Sequence, residues 1–294
     1  MSQTFNLCIA TETLANDAQQ LSVSTDTLHD IRVVVHATIV QQPTLQLQLA
    51  YQITLPTQSL ADQLHWPTWE ETRVGFTDYL WEESCLECFI AGSALDQDSA
   101  DSSSTAAYIE VNASPDGRYA LYQFESYRNP ATLPPPPLLL ANGRTCAKID
   151  WIDHPDLQMP SVGVNRAHNS SAAHTLYNYK RTFSVPIKER SSQNFAISNM
   201  VVEHIHPCVI LWFGETALYF APSHASPPDF HNRRYWTRFD SKAALLNQLA
   251  SSIATERQCL SRACPHFKNG DKNEVNCSQA RKRVQIISRY YQAV

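Results

Sequence analysis

Apolar positions in this chain recur mostly with a period of two. Leu45-Gln-Leu-Gln-Leu-Ala-Tyr-Gln-Ile-Thr-Leu55 alternates along its whole length, and Ile31-Arg-Val-Val-Val-His-Ala-Thr-Ile-Val40 precedes it across Gln41-Gln-Pro-Thr44. Side chains alternate across a strand, so these runs predict a half-buried antiparallel pair joined by a proline-containing turn. Further strands are predicted from Trp81 to Ile90, Tyr108 to Ala113 and Arg118 to Phe124. A later meander runs through Val201–His206, Cys208–Phe213 and Ala217–Ala221, with Gly214-Glu-Thr216 turning the chain. Spacing becomes helical at Asp240–Ile253, behind an Asp240 or Ser241 N-cap, and again at Gln279–Tyr291. Residues 93–106 are polar and low in complexity and predict a mobile hairpin insert. Pro134 to Pro137 hold an extended stretch. Residues 141–182 show little periodicity and read as a long loop with at most short strands. Many short strands followed by helices predict a mainly β chain, an antiparallel β-sandwich with a C-terminal helical tail.

The most informative pattern lies between Trp81 and Phe124. Alternation places Leu86, Cys88 and Ile90 on one face of the first strand, with Cys85, Glu87 and Phe89 on the other. The next strand puts Ile109, Val111 and Ala113 on one face, and Tyr108, Glu110 and Asn112 on the other. A sheet face collecting Glu87, Glu110, Asn112 and aromatic rings is neither ordinary core nor ordinary wet surface. It reads as a binding face. Sugars present hydroxyls at the rim and C–H faces above and below, so their sites combine flat aromatic platforms with carboxylate and amide partners. Trp81, with Tyr122, Tyr127 or Trp212, supplies platforms; Glu83, Glu87, Glu110, Asn112 and Arg128 supply hydrogen bonds. The bland alternative is that the Glu and Asn side chains merely cover the sheet while Arg128 forms a structural ion pair.

The Trp-Glu…Cys-Leu-Glu-Cys-Phe89 strand, the Tyr108-Ile-Glu-Val-Asn-Ala-Ser-Pro-Asp-Gly-Arg-Tyr119 hairpin and Phe124-Glu-Ser-Tyr-Arg128 resemble the DOMON-like bacterial proteins, relatives of family 9 carbohydrate-binding modules. Ser226-Pro-Pro-Asp-Phe-His231 is similar to the closing motif of the same group. The resemblance spans roughly residues 30 to 240, in blocks separated by insertions. It implies a jelly-roll β-sandwich that holds a sugar or haem in its relatives, and it adds Asp229 and His231 as residues fixing the closing loop beside a ligand. Part of the group is associated with peptidoglycan-precursor synthesis, which points towards cell-wall sugars. The expected organisation is a sandwich over residues 1–240, with inserts at about 93–106 and 141–182, and a basic helical extension over 241–294. The expected function is non-catalytic recognition of a carbohydrate or sugar derivative, with no cofactor. A haem-binding protein of the same type and an interaction scaffold with a degenerate site are the alternatives.

Composition narrows the class. With 43% hydrophobic and 17% charged residues the 294-residue chain is ordinary for a globular protein, and a net charge of −5 argues against a dedicated nucleic-acid binder. The charge is uneven. From Glu256 onward eight Lys and Arg face three acidic residues, a surplus of +5 that leaves −10 on the remainder. Such a tail docks on its own acidic body or on an acidic partner, or is simply solvated. No segment approaches the roughly 20 apolar residues of a membrane span, and the start lacks a basic lead before a long apolar run. Eight cysteines in this length do not make a disulfide scaffold. A cytoplasmic protein with reduced thiols is expected.

Several Cys and His groups invite a metal reading. Cys85 and Cys88, three apart on a strand, should point to opposite faces and serve as small apolar residues. Cys259, Cys264, His266 and Cys277 have the ligand types of a structural zinc site, but their spacing does not match a tight knuckle. His204 and His206 share a strand face, and His224 and His231 bracket the closing motif. Such histidines can ligate haem iron or a metal; the haem-binding DOMON relatives favour a Met/His pair, and this chain has Met1, Met159 and Met200.

Overall fold

The computed structural model describes residues 2–40, 45–94, 107–140, 142–152, 161–165, 174–186 and 200–239. The chain divides into two units, Met1–Asp240 and Ser241–Val294, and the described residues all belong to the first. The expected helices at 240–253 and 279–291, the candidate zinc set, and most of the expected insert at 93–106 lie outside the described residues.

Among the described residues the protein is mainly β, with 49% strand and three helices. β1 (Ser2–Ile9) leads into α1 (Leu14–Gln20) and α2 (Thr25–His29), then β2 (Arg32–Val40), β3 (Gln46–Leu55) and α3 (Gln58–Gln63). After a two-residue β4 (Gly75–Phe76) come β5 (Cys85–Ala94), β6 (Tyr108–Ala113) and β7 (Arg118–Phe124). β8 (Asp150–Trp151), β9 (Ser161–Asn165), β10 (His174–Pro186), β11 (Met200–Phe213), β12 (Thr216–Ala221) and β13 (Thr237–Arg238) complete the order.

Among the described residues the strands form one sheet in the order β4-β7-β6-β5-β11-β12-β1-β2-β3-β10-β8, with β13 on β11 and β9 on β10. The sheet is mixed, because β4 runs parallel to β7 while the other pairs are antiparallel. It curls into a half-barrel. β1 makes the corner: Ser2–Leu7 pair with β2, and Cys8–Ile9 pair with β12. The curl brings the two halves together, so that the buried Tyr51 hydroxyl of β3 donates to the Glu87 carbonyl of β5 at 2.6 Å. The expected strands at 31–40, 45–55, 108–113 and 118–124 are present as β2, β3, β6 and β7.

Four expectations need correction. Trp81 does not lie in a strand: Leu80–Glu82 form a 3-10 turn after Tyr79 at φ +64°, and β5 begins at Cys85. Val201–His206 and Cys208–Phe213 are a single strand, β11, running through Pro207. Proline is tolerated there because Pro207 falls between the stretch of β11 paired with β13 and the stretch paired with β12, where no strand needs its missing N–H. The expected loop over 141–182 ends inside a 13-residue strand, β10, which begins at His174 and lies against β3 over ten residues. The fourth concerns the insert at 93–106, since Ser93 and Ala94 continue β5.

Candidate functional site

β5, β6, β7 and β11 carry the predicted faces. Leu86, Cys88, Ile90, Val111 and Val209 occupy the side turned to the other half of the sheet. Cys85, Phe89, Ala91, Tyr108, Ala120, Tyr122, Phe124, Cys208 and Ile210 cluster on the opposite side. Leu80, Phe230 and Trp236 cover that second face, and Trp81 packs against it. Glu87 and Glu110 therefore sit inside a second apolar layer rather than on a wet surface.

Register fixes their relationship. Glu87 lies opposite Asn112 on one side and Cys208 on the other, while Glu110 lies opposite Phe89. The two carboxylates are thus diagonal neighbours, with backbone positions about 7–8 Å apart. Asn112 Nδ2 donates to Glu110 Oε1 at 2.8 Å, and Asn112 Oδ1 is buried with no partner among the described residues. His231 Nε2 lies 3.7 Å from Glu110 Oε2, and His231 Nδ1 is 2.7 Å from the Tyr108 hydroxyl.

The closing motif is tied to the same face. Asp229 accepts from the Tyr127 hydroxyl at 2.6 Å, from Arg128 Nη2 at 2.9 Å and from the His231 backbone N–H at 3.2 Å. Arg128 has φ +50°, a backbone setting uncommon for a residue with a side chain. Its backbone N–H donates to the Tyr108 hydroxyl at 3.2 Å. The 126–135 loop and the 226–232 loop are thereby locked together over the end of β6.

Between these loops and the sheet lies a cavity of about 430 Å³. Glu87, Glu110, Arg128, Asp229 and His231 line it together with Trp81, Phe89, Phe124, Tyr219 and Phe230. Its volume falls in the range of small-molecule sites. Trp81 stands edge-on to Tyr122 at 5.9 Å and to Tyr79 at 5.2 Å, which fixes the indole while leaving it half-buried.

Burial controls the titration of this set. It pushes Glu87 well above the usual carboxylate range, and the nearby Glu110 charge adds to the rise. Burial likewise raises Glu110 to about 7, although Asn112 and Arg128 oppose the change. His231 is lowered to about 4, first by burial and then by the Arg128 charge. Against the upward pull of burial on Asp229, the Tyr127 and Arg128 hydrogen bonds hold it below the usual range. Near neutrality the cavity holds a neutral imidazole, an ionised Asp229–Arg128 pair and two buried carboxyls held above the usual range, of which Glu110 is close to its titration.

Of the residues singled out from sequence, Trp81, Glu87, Glu110, Arg128, Asp229 and His231 line the cavity. Asn112 reaches it through Glu110, and Tyr127 through Asp229. Tyr122 does not line it; the fully buried ring supports Trp81 from behind, and its hydroxyl donates to Asp78 at 2.9 Å. Glu83 is also placed elsewhere. Its carboxylate is held by both terminal nitrogens of Arg118 at 2.8 and 2.6 Å, and Arg118 binds the fully buried Asp116 through Nε. Arg73 joins the same network through Asp116 at 2.9 Å. Trp212, the other platform considered, packs against the cluster without lining the cavity.

Sequence reasoning missed Phe89, Phe124, Tyr219 and Phe230 as cavity walls. Phe89 and Phe124 were legible, because both share the face of Glu87 and Glu110. Tyr219 comes from β12, whose place two strands from β5 no local pattern reveals. Cys85 and Cys88 are buried free thiols, Cys85 on the cavity side of the sheet. His206 stacks on Trp236 at 6.4 Å, and burial lowers it to about 4. Among the described residues no group of three His, Cys, Asp or Glu side chains is placed to hold a metal ion.

No family model matches the chain, and no curated protein or solved structure is significantly similar to it. Among the described residues no helix is long and apolar enough to cross a membrane.

Proposed function

We propose that this cavity is a recognition site for a small polar ligand, a carbohydrate or sugar derivative. The observation that carries the reading is the hydrogen-bonded Glu110–Asn112 pair with His231, buried at the floor of a cavity whose walls are aromatic. The half-buried Trp81 offers its ring to sugar C–H groups, while Glu87, Glu110 and Arg128 meet hydroxyls or an anionic substituent. Residues from several of the blocks that resemble the DOMON and family 9 carbohydrate-binding type, Glu87, Glu110, Arg128, Asp229 and His231, line this one cavity, and a jelly-roll sandwich is our reading of the curled sheet. The Tyr51–Glu87 contact between the two halves supports that reading.

Recognition is favoured over glycoside hydrolysis on geometric grounds. A glycosidase sets two carboxyl groups on either side of the scissile bond. Glu87 and Glu110 rise from one face of one sheet and approach a ligand from the same side. The placement proposed for the protein is cytosolic.

The test is a thermal-shift screen of the purified protein against mono- and oligosaccharides, nucleotide sugars and muropeptides, after an absorption spectrum. Binding to the native state raises the unfolding midpoint, and the rise grows with the logarithm of ligand concentration above Kd. A dose-dependent rise with one sugar class is expected. A flat response from a protein that carries a Soret band would replace this reading with haem binding.

A further inference from the structure

We infer that the ligand held against this sheet face carries a protonated amine, bound between the Glu87 and Glu110 carboxylates. This deepens the reading of the cavity as a carbohydrate site, and makes the expected ligand an amino sugar.

Glu87 is 2% exposed and lines the cavity. Among the described residues no N–H or O–H donates to its carboxyl; its hydrogen-bonding contact is the Cys85 thiol, a weak donor. Buried carboxyls ordinarily receive strong hydrogen bonds, because leaving them without donors is costly. Glu110 receives one, from Asn112, while the Oδ1 of that same amide also goes without a partner. The floor of the cavity is therefore rich in acceptors and poor in donors.

The protein's own cations do not correct the imbalance. Arg128 commits Nη2 to Asp229, and His231 is neutral, its Nδ1 accepting from the Tyr108 hydroxyl. Three carboxyl groups line the cavity against one guanidinium. A ligand hydroxyl brings one donor and also lone pairs, for which the Nε2–H of His231, directed towards Glu110, is a poor match. An ammonium brings three donors and no acceptor, which is the complement of the site. The aromatic wall adds to its attraction, since the half-buried Trp81 indole lines the cavity and an indole attracts a desolvated cation. Two carboxylates suit the forked donors of an ammonium, whereas a metal ion would need further protein ligands.

The experiment is isothermal titration at neutral pH with glucosamine, galactosamine and mannosamine, their three parent hexoses, and cyclohexylamine. Wild type and Glu87→Gln are compared. Hydrogen bonds between charged partners predict that one amino sugar binds about 10- to 100-fold more tightly than its parent hexose. Glu87→Gln should abolish the difference. Binding of cyclohexylamine but of no sugar, lost in Glu87→Gln, would keep the amine inference and remove the carbohydrate reading. Equal affinity for a hexose and its amino counterpart would overturn the inference and keep the carbohydrate reading. No binding by any of the seven compounds would overturn both.

Discussion

The Tyr108 hydroxyl and His231 Nδ1 lie 2.7 Å apart, joining β6 to a loop 123 residues later in the chain. That hydroxyl also accepts from the Arg128 backbone N–H at 3.2 Å. Its single proton is therefore free to be donated to Nδ1. The neutral imidazole then carries its own proton on Nε2, the nitrogen 3.7 Å from Glu110. One tyrosine thus sets both the position of the closing loop and the tautomer presented to the cavity.

Tyr108→Phe keeps the ring but leaves the Arg128 N–H and His231 Nδ1 without their partner. Loss of a buried hydrogen-bond link should lower unfolding stability by about 1–2 kcal/mol in a denaturant titration. The imidazole nitrogen resonances of His231 should lose the single Nε2–H tautomer. An unchanged tautomer and unchanged stability would show that Tyr108 only fills space.

Glu110 and His231 give opposite slopes of stability against pH. The folded value of Glu110 is raised to about 7 from an ordinary 4.5, so its contribution is fully present below pH 4.5 and is lost as pH rises through 7. His231 is lowered to about 4 from 6.5, so its contribution is present above pH 6.5 and is lost as pH falls towards 4. Between pH 4.5 and 6.5 the two slopes oppose one another. Glu110→Gln removes one of them. The variant should match wild type below pH 4.5 and become more stable than it above pH 7, by on the order of 3 kcal/mol. Parallel stability curves across this range would contradict the assignment of Glu110 as a buried titrating group.

The Asp116–Arg118–Glu83 network gives a prediction of a different kind. Asp116 is fully buried in the turn between β6 and β7, where Gly117 takes φ +110° beside Val74 and Trp69. Asp116→Ala takes from Arg73 and Arg118 the carboxylate they share, while Arg118 retains Glu83. The cost should be about 3 kcal/mol, near the low end for breaking a buried ion pair because Arg73 is partly exposed. Glu83→Gln should weaken the same network and leave ligand affinity unchanged, since Glu83 does not line the cavity.

Much of the candidate site was legible because strand alternation is a local rule. Knowing only that β5 and β6 are strands places Glu87, Phe89, Tyr108, Glu110 and Asn112 on one face, and they occupy one face. The motif resemblance supplied Asp229 and His231, which no periodicity would have linked to β6. β10 was hidden by a polar residue in an apolar role. Its inward positions Tyr179, Arg181, Phe183 and Val185 do alternate, but Arg181 looks like a surface residue until its Nε is seen donating to the buried Pro115 carbonyl at 2.8 Å. Trp81 was placed near the right neighbours in the wrong element, because a 3-10 turn of three residues leaves no periodic trace. The depth of the carboxylates was not legible at all. It depends on Phe230 and Trp236 arriving from the far end of the sequence to cover the sheet.

The most direct measurement is the affinity of Trp81→Ala and Glu110→Ala for the ligand that the thermal-shift screen returns, with circular dichroism to establish that both variants are folded. Loss of binding in both, with the β spectrum unchanged, is the expected result, since the indole walls the cavity and the carboxylate forms its floor. Unchanged affinity in both folded variants would place the ligand elsewhere on the protein and contradict the assignment of this sheet face as its site.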